Sequence, residues 1–271
     1  MRTGDLTEQG KALVELYKEM AENGYALSTG GTVSNAYNDF ELKKFRELVV
    51  PHFATFGIET VLDYGSGGSN WEEAGFDPAS DTSAKDFFNV KQIRKFEPAR
   101  GLTDKVKSDC VICMDVLEHV FLADITSIVR DLFSLSKKLL VVNVACYHAD
   151  ALLPNGENAH ITVREPSWWK GIFDAVAGDF PATSVLLICS TSYDSGVIYD
   201  LYGANQWSTA DCFSIEQAEK KFGNSSAASK AISLTTDQVF EAVDLLTKKA
   251  PETIPKLASV LTNNIEVRSP N

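Results

Sequence analysis

The sequence lacks any apolar run that approaches the roughly 18 residues needed to cross a bilayer. Residues 1–8 also lack the apolar core of a secretory signal. The default expectation is therefore a soluble, cytoplasmic protein with no membrane partner.

Clusters of basic residues are also missing, because no run of lysine or arginine is longer than a pair such as Lys137-Lys138. The formal net charge is −12. Attraction to a phosphate backbone depends on clustered Lys and Arg, so nucleic acid is not an expected partner.

Cysteines are few and odd in number, five in 271 residues. The first four fall inside or beside β-rich runs, which indicates reduced thiols packed in a core. Cys110 and Cys113 have the spacing of a zinc-binding pair. Residues three apart on a strand point to opposite faces, however, and no second pair of ligands follows. No metal site is expected.

The remaining pattern alternates strands with helices. It predicts an α/β fold, with a Rossmann-like, mostly parallel seven-stranded sheet flanked by helices and an antiparallel edge at its end. Helices are predicted from a Thr7 cap to Gly24, then over 41–53, 122–135 and 167–176. Strands are predicted before the glycines at 65–68, then over 92–97, 108–115, 138–145, 185–190 and 196–202. Residues 71–90 look like a polar, irregular insertion.

The most informative stretch is residues 61–69, with the sequence VLDYGSGGS. Glycines at 65, 67 and 68 would let the backbone approach a ligand closely, since they have no Cβ. Asp63, two residues before the first glycine, would face a cationic or hydroxyl-rich group rather than a pyrophosphate. This favours S-adenosylmethionine (SAM) over a dinucleotide.

Acidic residues recur at three strand ends, as Asp63, Glu97 and Asp115. An open α/β sheet binds its ligand at the carboxyl ends of its strands. A carboxylate after the second strand can accept both hydrogen bonds of a ribose diol. Each acid alone is more simply a solvated loop carboxylate, but the three in succession, with glycines between the first two, favour a binding site.

Three segments resemble the successive motifs of class I SAM-dependent methyltransferases: VLDYGSG at 61–67, FEPA at 96–99 and CMDVLEHV at 113–120. NAHI at 158–161 and EPSWW at 165–169 are similar to a bacterial subfamily with a methyltransferase core. The resemblance implies that Asp63, Gly65 and Gly67 lie along the methionine part of SAM and that Glu97 holds the ribose hydroxyls. It also implies that Met114, Asp115 and His119 border the cofactor. The adenine contact is not fixed by the motifs, and Leu102 is one candidate.

His160 follows the fifth strand, where this fold brings the acceptor to the methyl group. Methyl transfer needs in-line placement, and a hydroxyl acceptor must also lose a proton, which a histidine can accept near neutral pH. His160 is therefore the candidate catalytic residue. The alternative is a loop histidine that only hydrogen-bonds the backbone. Of Trp168 and Trp169, one is expected to pack on the sheet and the other to line the acceptor pocket.

The sequence thus favours a SAM-dependent methyltransferase acting on an oxygen or nitrogen of a small-molecule or glycan acceptor. A catalytically inactive SAM-fold protein that serves as a binding partner or scaffold is the alternative. A nicotinamide-dependent oxidoreductase is less favoured, because Asn70 stands where its fingerprint needs a third glycine.

Three regions are expected along the chain. They are an N-terminal helical segment (1–55), the SAM-binding core (56–205) and a helical C-terminal extension (206–271). The helices of the extension, near 215–221 and 236–261, are expected either to pack on the core or to mediate homo-oligomerisation.

Overall fold

The computed structural model describes residues 6–34, 39–200 and 211–214, the last four by their backbone only. Five helices lie in these ranges: α1 (Glu8–Asn23), α2 (Phe40–Phe56), α3 (Ala84–Phe87), α4 (Leu122–Leu135) and α5 (Pro166–Ala177). The first strands are β1 (Tyr25–Leu27), β2 (Thr32–Val33), β3 (Thr60–Tyr64), β4 (Gln92–Glu97), β5 (Leu102–Thr103) and β6 (Ser108–Met114). They are followed by β7 (Ser136–Ala145), β8 (Ala151–Leu152), β9 (Ser184–Ser190), β10 (Ser195–Asp200) and β11 (Asp211–Ser214).

The main sheet has the order β11-β10-β9-β7-β6-β3-β4-β5. Neighbours from β4 through β3, β6 and β7 to β9 are parallel, whereas β10, β11 and β5 pair in the antiparallel sense. Seven of these strands have four residues or more, and β5 adds a two-residue edge. The predicted Rossmann-like, mostly parallel seven-stranded sheet with an antiparallel edge is confirmed.

Each face of the sheet is covered by its own apolar cluster, as a parallel sheet requires. One face packs on α4 and α5, with Phe133 and Trp169 fully buried. The other face packs on α2 and on the segment after the glycine loop. Cys113 belongs to the first cluster and Cys110 to the second, both with no exposed surface. The strand geometry therefore separates the two thiols, as predicted.

Residues 71–90 are not the polar surface insertion that their composition predicts. Trp71, Phe76 and Phe88 are 2%, 1% and 3% exposed and pack against the second face of the sheet. Burial of each ring stabilises the fold by roughly 1.5–3 kcal/mol. Three aromatic side chains, spread among polar residues, thus cover part of this face of the sheet, where a regular helix would otherwise pack.

The chain between β4 and β6 is short. A 3₁₀ turn, Pro98–Arg100, leads into β5, which returns antiparallel to β4. A small antiparallel sheet of order β2-β1-β8 was not predicted, because its strands have only two or three residues each.

The predicted helices near 215–221 and 236–261, and with them the expected oligomerisation surface, lie outside the described residues. Within the described ranges, no helix combines the length and apolar character that a membrane span requires.

Candidate functional site

A cavity of about 570 Å³ opens where β3, β4 and β6 end. Its volume is within the range of small-molecule sites, roughly 300–1,000 Å³. Eight of the residues singled out from the sequence line this one cavity: Asp63, Gly65, Gly67, Glu97, Met114, Asp115, His119 and His160. The parallel strands bring them together because their carboxyl ends lie at one edge of the sheet.

The loop after β3 is held from inside by Asp63. Its Oδ2 accepts hydrogen bonds from the Ser69 hydroxyl at 2.7 Å and the Trp71 indole N–H at 2.8 Å. Burial raises the pKa of the Asp63 carboxyl. Asp63 therefore fixes the shape of the loop, a role that the sequence did not reveal because neither donor belongs to the glycine motif.

Gly65 has a left-handed backbone (φ 77°) and lies against Val116. A Cβ at this position would stand 2.4 Å from a Val116 methyl carbon. Its N–H donates to the Phe96 carbonyl oxygen at 2.7 Å, which ties the loop to β4. The glycine is thus required by packing as well as by any close approach of a ligand.

Glu97, at the end of β4, caps the neighbouring backbone with both carboxylate oxygens. Oε2 accepts the Gly67 N–H at 2.9 Å and Oε1 accepts the Ala99 N–H at 3.1 Å. Burial raises the pKa of the Glu97 carboxyl. Because a carboxylate oxygen has two lone pairs, each oxygen can still accept a second hydrogen bond from a molecule in the cavity.

The Asp-Val-Leu-Glu-His segment turns sharply after β6. Asp115 has a positive φ of 58°, which is uncommon for a residue other than glycine. Leu117 and Glu118 are fully buried, and Glu118 accepts the Ala145 N–H at the end of β7. Burial raises the pKa of Glu118, and the charge of Asp115 raises it further. This anchoring leaves His119 on the cavity side.

His119 Nδ1 lies 2.9 Å from both the Ala159 carbonyl oxygen and the Tyr17 hydroxyl. The Tyr17 hydroxyl also donates to the same carbonyl at 2.8 Å. A carbonyl oxygen only accepts, so the tautomer with a proton on Nδ1 makes these contacts favourable and leaves Nε2 without a proton. His119 Nε2 is 3.9 Å from Asp115 Oδ2.

His160 is presented by Asn158, the first residue of the NAHI segment. The Asn158 side chain binds both the N–H and the carbonyl oxygen of Ala149, and its Oδ1 accepts the His160 N–H at 3.0 Å. His160 Nδ1 lies 2.5 Å from the Tyr147 carbonyl oxygen. Burial, followed by the proximity of His119, lowers the pKa of His160 to about 4, so its ring is neutral at physiological pH.

The N-terminal helix forms a wall of the cavity that the sequence did not predict. Leu13 and Tyr17 line it from α1, and Thr7 fixes the start of that helix. The Thr7 N–H and hydroxyl each donate to Asp124 on α4, both at 2.8 Å. Tyr17 stands at one of the regularly spaced apolar positions of α1. That pattern predicts packing and does not indicate that the Tyr17 hydroxyl contacts the site.

The expectation that one tryptophan packs on the sheet is confirmed by Trp169, and the expectation that the other lines the acceptor pocket is wrong. Neither Trp168 nor Trp169 lines the cavity: Trp169 is fully buried in the core, and Trp168 packs against the same cluster. Leu102 is 39% exposed and is likewise absent from the lining. The cavity is instead bounded near β4 by Phe96 and residues 98–100.

Comparison of the chain with protein-family models, with curated proteins and with solved structures gives no match. The functional argument therefore rests on the motifs and on the geometry of the cavity.

Proposed function

We propose that this protein is a SAM-dependent methyltransferase that moves a methyl group to an oxygen or nitrogen of a small-molecule or glycan acceptor. The observation that carries the proposal is the convergence of the glycine loop, Glu97 and the Asp115 turn on one cavity at the strand ends. The cofactor would supply an electrophilic methyl group attached to a sulfonium.

The residues present fit such a cofactor. Glu97 has lone pairs left for a ribose diol after binding Gly67 and Ala99. The backbone of Gly65 and Gly67 borders the same space, and Asp63 keeps that loop in shape. The acidic lining also suits a cationic sulfonium better than a pyrophosphate.

The acceptor would lie beside the two histidines, between Tyr17 of α1 and Tyr147 after β7. These rings and the apolar residues of α1 would exclude water and hold the acceptor in line, which is the main requirement of methyl transfer. A pKa of about 4 makes His160 a weak proton acceptor at neutral pH, so its proposed role is to orient the acceptor.

The structure of the segment after the glycine loop gives little support to the nicotinamide alternative. A dinucleotide fingerprint places the pyrophosphate at the N-terminus of a helix that follows the glycine turn directly. Between Gly65 and Ser83 the chain has no helix, and α3 has only four residues. The inactive scaffold remains the second candidate, because residues 66–69 have the sequence SGGS, where the methyltransferases that the motifs resemble often have a Cys-Gly-Lys-Gly type of continuation after the first glycine.

The test is calorimetry of the full chain with SAM, S-adenosylhomocysteine and NAD, followed by transfer assays with SAM carrying a labelled methyl group. Hydroxyl, amine and glycan acceptors should be assayed in parallel. Binding of SAM and its product, with label transfer to one acceptor class, supports the proposal. Binding without transfer to any class supports the scaffold, and binding of NAD alone overturns both.

A further inference from the structure

Three potential metal ligands from separate parts of the chain meet in the cavity. Asp115 ends β6, His119 lies on the following 3₁₀ turn, and His160 comes from the loop after β8. One ligand atom from each lies within 4.8 Å of the other two. The two imidazole rings are 4.8 Å apart, centroid to centroid, and nearly perpendicular, at 76°.

Both histidines are held by the main chain in the orientation that a metal ligand needs. Nδ1 of His119 lies against the Ala159 carbonyl oxygen, and Nδ1 of His160 lies against the Tyr147 carbonyl oxygen. Metal-binding histidines commonly donate their other ring N–H to such a carbonyl, which fixes the tautomer and the ring. Nε2 of each ring is left with a lone pair.

This arrangement brings the Asp115 carboxylate and one nitrogen of each imidazole ring to one point of the cavity. If both Nδ1 atoms carry the proton, the two Nε2 atoms and the Asp115 carboxylate offer only lone pairs. The distance of 3.9 Å between His119 Nε2 and Asp115 Oδ2 is too long for a hydrogen bond. In the described part of the chain, no lysine or arginine forms an ion pair with Asp115. A cation would satisfy all three groups at once.

We propose that Asp115, His119 and His160 bind one divalent transition-metal ion, with Zn²⁺ as the best match to two imidazoles and a carboxylate. Metal–ligand bonds of about 2.0–2.2 Å place ligand atoms roughly 3.0–3.5 Å apart. Small side-chain movements therefore close the present separations. The positive φ of Asp115 is consistent with a residue held at a functional turn.

Three protein ligands leave at least one coordination position open, which is the pattern of catalytic rather than structural zinc. All three ligands line the cavity, so the ion would take an oxygen or nitrogen of the molecule bound there. This last step rests on the proposed function: the ion would hold a hydroxyl acceptor and lower its pKa. Binding of the ion does not depend on that step.

The test is titration of the chelator-treated full chain with Co²⁺, followed by visible absorption, and with Zn²⁺, followed by calorimetry. We expect one ion per chain and visible Co²⁺ bands without the thiolate charge-transfer absorption that a cysteine site would give. Asp115→Asn and His160→Gln keep side-chain size and should each weaken binding at least tenfold. His119→Ala should do the same, provided that its thermal unfolding matches the parent.

His148→Ala is the matched control, because His148 is an exposed histidine between β7 and β8 and does not line the cavity. It should leave the affinity unchanged. Failure to bind either ion, thiolate absorption, or affinity that Asp115→Asn and His160→Gln do not alter would each overturn the inference. S-adenosylhomocysteine affinity, measured separately, distinguishes this outcome from failure of the proposed function.

Discussion

The carboxylate of Glu97 and the backbone N–H of Gly67 are joined by a hydrogen bond of 2.9 Å. This bond connects the end of β4 with the glycine loop after β3, across the cavity edge. The same side chain that would bind a ribose therefore also shapes the loop beside it. Its removal should affect both ligand binding and the local backbone.

Replacing Glu97 with alanine should weaken S-adenosylhomocysteine binding by on the order of 1–3 kcal/mol, from the loss of hydrogen bonds to a charged group. Calorimetry at constant salt measures the change directly. Glu73→Ala is the control, because it removes an exposed carboxylate from the following loop and changes the net charge equally. Unchanged affinity in Glu97→Ala, with the control also unchanged, would contradict the ribose assignment.

Replacing Gly65 with alanine should destabilise the fold even without a ligand. The new Cβ meets Val116 at 2.4 Å, and the left-handed backbone adds roughly 1–2 kcal/mol of strain. We expect a total loss of about 2–5 kcal/mol in denaturant unfolding, since overpacking contributes roughly 1–3 kcal/mol. Added to a Val116→Ala background, the same change should cost at least about 1 kcal/mol less.

Gly101 provides the matched control for this double-mutant cycle. Its φ is 70°, close to that of Gly65, but a Cβ there meets no atom within 4 Å. Gly101→Ala should therefore cost only the backbone strain, and Val116→Ala should not alter that cost. An equal cost for Gly65→Ala in both backgrounds would show that the contact with Val116 is not what requires the glycine.

Much of this fold follows from sequence because its strands and helices carry strong local patterns. Residues 92–97 and 122–135 form the strand and helix that their periodicity predicts, with the same bounds. The segment 71–90 was misjudged because its apolar rings are isolated among polar residues. Periodicity cannot show that Trp71 also donates to Asp63.

The candidate site also contains residues whose positions could be predicted from the sequence and residues whose positions could not. Asp63, Glu97 and Asp115 could be placed from their positions at strand ends, since the parallel sheet brings those ends together. The approach of His119 to His160 could not, because 41 positions separate them in sequence and the Asn158 contacts set the second ring. The expectation of no metal site considered only the cysteine pair and did not include this convergence.

Glu41, on α2 at the cavity, should make stability depend on pH. Burial, followed by the charge of Asp115, raises its pKa to about 7, against the opposing effect of Lys44. The folded state thus holds a proton that the unfolded chain releases from about pH 4.5 upward. Stability should fall as pH rises through this window and level off above pH 7, a loss on the order of 3 kcal/mol.

Glu41→Gln has no carboxyl proton to lose, so the variant should gain stability relative to the parent between pH 5 and pH 8. Urea unfolding of both proteins, with a chelator present, measures the difference at each pH. The substituted amide keeps an oxygen that can accept from Lys44, so a constant offset is expected at all pH values and does not affect the comparison. A difference that stays the same from pH 5 to pH 8 would show that Glu41 has an ordinary pKa.

Asp124 should control how firmly α1 closes the cavity. Its two oxygens accept the Thr7 N–H and hydroxyl, and Asp124 is only 1% exposed. In Asp124→Asn the amide oxygen can still accept the Thr7 N–H, but the NH2 group can only donate toward the Thr7 hydroxyl, so two hydrogen bonds to a carboxylate become two weaker bonds to a neutral amide, at a cost of about 1–2 kcal/mol. We therefore expect the backbone amides of α1 to exchange with solvent about tenfold faster, which hydrogen-exchange measurements will test.

Because Leu13 and Tyr17 line the cavity from α1, Asp124→Asn should also weaken S-adenosylhomocysteine or acceptor binding. Asp179→Asn is the matched control, since Asp179 pairs with Arg130 of the same α4 but is 60% exposed. Exposed ion pairs contribute little, so the control should change neither exchange nor binding. Faster exchange spread over all helices in Asp124→Asn would indicate global destabilisation, whereas an effect confined to α1 would establish this helix as a separately opening wall of the site.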